Sequence, residues 1–174
     1  MGGETAELGH SATTGGLIYA KESKGLTLDG AVIANNSAAN GGGAIYLTGT
    51  TITITDTQFN SNVAGSSGGA ISVNSTTATI TGSEFTTNVA SGDGGAIYSA
   101  SGTITAQNSK FHKNSTTKEE CGGGVMYCTG STVNMDAVDF AENSASWGGV
   151  FNIRTNSVVT VTSGTFTNNT AALL

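Results

Sequence analysis

A unit of about 26 residues recurs six times along this chain, and no other feature restricts the possible folds so strongly. Each copy is marked by a glycine pair and, later, by a bulky apolar residue followed three positions on by asparagine. The first glycine of each pair falls at Gly15, Gly42, Gly68, Gly94, Gly123 and Gly148, with spacings of 27, 26, 26, 29 and 25. The apolar position falls at Ile33, Phe59, Phe85, Phe111, Phe140 and Phe166. Its asparagine follows at Asn36, Asn62, Asn88, Asn114, Asn143 and Asn169. Repeats of this length mean units that pack on their neighbours instead of closing a core alone.

Within the unit the periodicity is that of strands. Segments such as Thr51–Thr55, "TITIT", alternate with period two. Thr, Ile and Val favour strands, and Gly, Asn and Ser fill the junctions. About three short strands per unit predict one coil of a β-solenoid, stacked at about 4.8 Å per coil. Parallel crossovers are right-handed in nearly all cases. The expected fold is therefore all-β, a right-handed parallel β-helix of about six coils of about 26 residues. Residues 15–174 form one domain that stops in mid-coil, and residues 1–14 are an irregular start or N-terminal cap. The opening residues lack the basic and apolar regions of a signal peptide, so the chain reads as a piece of a longer protein.

Stacking turns each repeated position into a column. Parity directs two columns of the first strand inward, Ile18 to Phe151 and Ala20 to Ile153. Leu28 to Val161 from the middle strand and the Phe positions complete the core. The Asn column belongs at a bend, with side-chain amides bonding the backbone or one another. The glycine pair permits a tight turn where a Cβ would collide, or a positive φ.

Charge is scarce, with Lys+Arg 6 against Asp+Glu 12 and a net charge of −6. That balance disfavours nucleic acid and anionic membrane surfaces as partners. No apolar run is long enough for a membrane-spanning helix, so membrane insertion is not expected. Cys128 falls in an inward column and reads as a small hydrophobe. Cys121 sits in the one enlarged loop, within "STTKEECGGG", and the intervening strand argues against a bridge to Cys128. Of the glycosylation sequons at Asn35, Asn74, Asn114 and Asn168, the one at Asn114 lies in the inward column, where a glycan would not fit.

The paired motifs resemble those of the chlamydial polymorphic membrane proteins. The matching residues are Gly42, Gly43, Ala44 and Ile45 with Phe59 and Asn62; Gly68, Gly69, Ala70 and Ile71 with Phe85 and Asn88; and Gly94, Gly95, Ala96 and Ile97 with Phe111 and Asn114. Phe140 with Asn143 and Phe166 with Asn169 continue the series, while the outer coils diverge, as in "GGLI" at Gly15 and "GGVF" at Gly148. The resemblance implies an autotransporter adhesin with a β-helical passenger. It also implies secretion, display at the bacterial surface or outer membrane, and attachment to a host-cell receptor, protein or glycan. End-to-end self-association is expected of exposed coil edges. A structural stalk is the alternative.

Other functions fare less well. A polysaccharide-active β-helix needs grouped acids and bases on an outward face. Asp29 and Asp136 share a column four coils apart, Asp56 stands alone, and His112 has no obvious acid or nucleophile partner. Catalysis is not expected, nor is a cofactor or a metal. A threonine ladder, Thr27, Thr53, Thr79, Thr105 and Thr160, suggests ice binding, but Asn134 interrupts it and Thr is an ordinary exposed strand residue. The candidate contact patch is the charged flank. Lys110 should stack between Glu84 and Asp139, and Lys113 beside Glu142, with Lys118, Glu119 and Glu120 in the enlarged loop of the same coil. Inserted loops commonly carry recognition; the plainer reading is a solvated ionic ladder worth under about 1 kcal/mol per pair.

Overall fold

The computed structural model describes residues 10–172. They form a right-handed parallel β-helix of about six coils of about 26 residues. Each coil has four strands, not three. In one coil they are Ile45–Thr48, Thr51–Thr55, Gln58–Asn60 and Val63–Ala64. They build four parallel sheets, called here the first to the fourth in that order, with 6, 6, 6 and 7 strands. The fourth strand escapes the sequence reading because it is two residues long, too short to show alternation. Its sheet begins earlier than the others, since Ser11–Ala12 pairs with Ser37–Ala38. Part of the segment read as an irregular start is therefore already in the helix; residues 1–9 lie outside the described residues.

Every coil turns at four corners. Each corner among the described residues holds a residue in the left-handed region, and the enlarged one holds two, Glu120 and Gly123. After the first strand it is Glu22, Gly49, Ser75, Ser101, Gly130 or Asn156; after the third it is Asn35, Ser61, Thr87, Lys113, Glu142 or Asn168. Only the fourth corner demands glycine in every coil. There the first glycine of the pair has φ between +61° and +73°, and a Cβ on it would also strike a carbonyl of its own coil, as Gly42 would strike that of Ile45. The second glycine answers a different need. A Cβ on Gly43 would meet the Gly69 carbonyl of the next coil, and one on Gly69 would meet that of Gly95. Positive φ and close approach are thus divided between the two members of the pair.

The interior is a set of self-stacked columns. Ile45, Ile71, Ile97 and Met126 are buried, as are Leu47, Val73, Ser99 and Cys128. Phe59, Phe85, Phe111 and Phe140 are fully buried, with rings stacked at 4.6, 4.7 and 5.7 Å between centroids. Beside them runs the asparagine ladder. Asn88 Nδ2 donates to the Phe59 carbonyl and to Asn114 Oδ1, both at 2.9 Å. Asn88 Oδ1 accepts from the backbone N–H and from Nδ2 of Asn62, both at 3.0 Å. Both donors and both acceptor positions of each central carboxamide are filled, which is what makes its burial tolerable. The inward assignment weakens in the last coil, where Ile153 and Phe166 are 49% and 53% exposed for want of a covering coil.

Two substitutions test this core. Phe85→Ala, which empties a site between two rings, should cost about 3–5 kcal/mol in denaturant unfolding. Phe166→Ala should cost less than half of that, and equal losses would contradict the stacked column. Asn88→Ala, which orphans groups in two adjacent coils, should cost about 3 kcal/mol or more by the same measurement.

Candidate interaction surfaces

The repeat motifs themselves face inward except in the last coil, where Phe166 is exposed and Asn169 half-buried. Ala44, Ile45, Phe59, Asn62, Ala70, Ile71, Phe85, Asn88, Ala96, Ile97, Phe111, Asn114, Phe140 and Asn143 are all buried. A partner cannot touch these side chains in the folded solenoid. Candidate contact residues must be those projecting between them.

On the third sheet the expected ladder is in register: Glu84 pairs with Lys110, and Lys110 with Asp139. The charges do not pair as expected, however. Among the described residues no ion pair joins Lys110 to either neighbour. Glu84 instead accepts a hydrogen bond from Thr86 in its own strand at 3.1 Å. Asp139 is held by His112, 2.8 Å from Nε2 to Oδ2, and by the Thr165 hydroxyl. His112 therefore does have an acid partner, contrary to the sequence reading. Single columns do not reveal the pair, because it is diagonal: Asp139 lies two residues before Ala141, the strand partner of His112 in the next coil. Lys113 and Glu142 approach to 3.7 Å at the adjacent corner, with both side chains more than half exposed. Such a pair contributes little stability.

Asp139 lies below the usual carboxylate range. The Thr165 hydrogen bond is the main cause, helped by His112 and the Lys110 charge, and burial partly opposes them. The His112–Asp139–Thr165 chain puts the carboxylate in the middle: Thr165 donates to Asp139, a weak base because its pKa is lowered, and His112 contacts the carboxylate and not the hydroxyl. This order does not activate Thr165 as a nucleophile.

The enlarged loop is displaced from that flank. The coil spacing grows from 26 to 29 between Ile97 and its partner Met126, whereas Glu84 still pairs with Lys110 at 26. The three extra residues thus enter at the fourth corner. Ser115–Thr116 separates Lys118, Glu119 and Glu120 from Lys110 and Lys113, so the charges gather at two edges and not in one patch. The loop is tied down by Lys118 N–H on the Ser91 carbonyl and by Gly122 N–H on Asp93 Oδ1 at 2.9 Å. Next to it, Arg154 lies over the Trp147 ring at 5.4 Å. Both cysteines are free. Burial, first among the causes, raises both thiols, so neither is an activated thiolate.

A surface that the sequence reading passed over lies on the first sheet. One residue after the inward Ile column, Tyr19, Tyr46, Tyr98 and Tyr127 project outward, with Ser72 and Asn152 at the remaining positions. Tyr19 stacks on Tyr46 at 5.6 Å and Tyr98 on Tyr127 at 5.3 Å. The signal was present, because these tyrosines recur with the spacing of the other columns. Burial, and then the neighbouring Tyr127, Asp93 and Tyr46, raise the Tyr98 hydroxyl above its ordinary value, so it remains a donor at neutral pH. Among the described residues no group of His, Cys, Asp and Glu could hold a metal ion, and no helix is long and apolar enough to cross a membrane.

In comparison with known proteins, residues 15–174 fit a family model described as a right handed beta helix region. No curated protein and no solved structure matches significantly.

The Asp139 contacts make a pH prediction. A carboxylate depressed in the fold relative to about 3.9 in the unfolded chain stabilises above that value, and the contribution disappears as pH falls through the folded pKa. Asp139→Asn should therefore lower the melting temperature at pH 7. The gap to the parent should close as the pH falls below about 4; a gap constant with pH would show that the charge on Asp139 is immaterial.

Proposed function

The chain belongs to the right-handed β-helix family, and on that footing we propose that it is a non-catalytic surface module that attaches to a host-cell receptor through one flank of the solenoid. Its motifs resemble those of the chlamydial polymorphic membrane proteins, which supports display at a bacterial surface, outer membrane or secreted. The observation that carries this reading is where the chain departs from its own repeat. The departures fall on neighbouring coils: exposed Lys110 and Lys113 with half-buried His112 on one edge, and the exposed Lys118–Glu120 insertion and Arg154 with half-buried Trp147 on another. A bare spacer needs no such local character, whereas a regular scaffold with one irregular flank is the usual plan of a recognition module. The absence of an activated nucleophile at His112, Asp139 and Thr165 favours binding over catalysis.

A stalk that holds a distal domain away from the cell is the second reading, favoured by the threonine-rich second sheet. Deleting Lys118–Glu120 separates the two. That removal restores the 26-residue spacing and spares Ser115, which pairs with Val89. The fold should survive, with the melting temperature little changed, and cell attachment of the chain should fall several-fold. Unchanged attachment would exclude the loop as the binding element. A chain that binds no cells would favour the stalk.

A further inference from the structure

We propose that the first sheet carries a binding slot for a neutral pyranose sugar, formed where Ser72 interrupts the tyrosine column. Strand register places Ser72 directly between Tyr46 and Tyr98. Two stacked tyrosine pairs thus flank a position with no ring, and a cleft of about 290 Å³ opens there. Its lining includes Tyr46, Ser66, Ser67, Ser72, Asn74 and Tyr98. Ser72 forms the floor and is only 5% exposed. Its hydroxyl takes part in none of the hydrogen bonds found among the described residues.

The dimensions and the lining select the ligand. Tyr46 and Tyr98 are two coils apart, about 9.6 Å along the stack. Contact at about 3.5–4.0 Å with each ring face uses 7–8 Å of that. The remaining 2 Å or so suits a puckered ring carrying hydrogens on both faces, whereas a flat ring would meet one wall well and the other poorly. A pyranose has two such faces and a rim of hydroxyls. The slot offers that rim three serine hydroxyls and the Asn74 amide, which can donate and accept. No charged side chain is in the lining, so the ligand is neutral. This assignment rests on the tyrosine column and not on the charged edges, so it and the proposed attachment through the Lys118–Glu120 corner stand or fall separately.

Saturation-transfer NMR on the whole chain, with lactose, maltose and chitobiose as probes, tests the slot. One ring in a shallow site implies a dissociation constant on the order of millimolar for the preferred sugar. Ser72→Tyr completes the column and should abolish transfer while keeping or raising the melting temperature. Tyr98→Leu should weaken binding by about tenfold or more, whereas Lys110→Ala, on another sheet, should leave it unchanged. The proposal is overturned if none of the three sugars receives saturation at millimolar concentration, or if a well-folded Ser72→Tyr variant binds as the parent does. It is equally overturned if N-acetyl-tyrosinamide occupies the slot and the sugars do not, since the occupant would then be an aromatic side chain of a protein.

Discussion

The buried asparagine carboxamide is the group on which the rest of this structure depends. It carries two donors and an oxygen with two acceptor positions, all of which must be met away from water. In a self-stacked coil they are met by the equivalent residue one coil on, the equivalent residue one coil back and the carbonyl beside the preceding phenylalanine. A slip of one residue would leave the whole ladder unpaired. The phenylalanine rings next to it prefer the same register but would tolerate sliding, because burial is not directional. Specificity of register therefore resides in the amides, and most of the burial energy in the rings and aliphatic columns.

Much of the architecture is legible in the sequence because the solenoid makes each position report the same environment several times over. Ile45, Ile71 and Ile97 are individually ambiguous, but as a column they can only be interior. The glycine pair is legible as a corner, though its division of labour requires coordinates: one glycine adopts a left-handed backbone, and the other lies against the next coil's carbonyl. Two-residue strands such as Val63–Ala64 are invisible because alternation needs more positions. At the surface, column logic places charges but does not choose their partners. Register sets Lys110 between Glu84 and Asp139, but side chains also reach diagonally, and it is His112 that bonds Asp139.

The outer face divides into regions of different character. The second sheet is a field of threonines with few charges. The third carries polar and charged side chains, several of them engaged by neighbours and so already committed to local order. The first carries aromatic rings, which offer large, rigid contact area at low entropic cost. Attachment and sugar binding would thus use different sides of one rod, and both depend on the rod only for rigidity.

The three-residue insertion leaves the strand pairing on either side intact: Ile97 meets Met126, and Phe111 meets Phe140. A solenoid closed by four corners has one where surplus chain can be looped out without disturbing the stack. Variation in length can accumulate there while selection holds the interior constant. Such a corner behaves as a port in the scaffold, a place where one short segment could be exchanged for another while the same rod is kept.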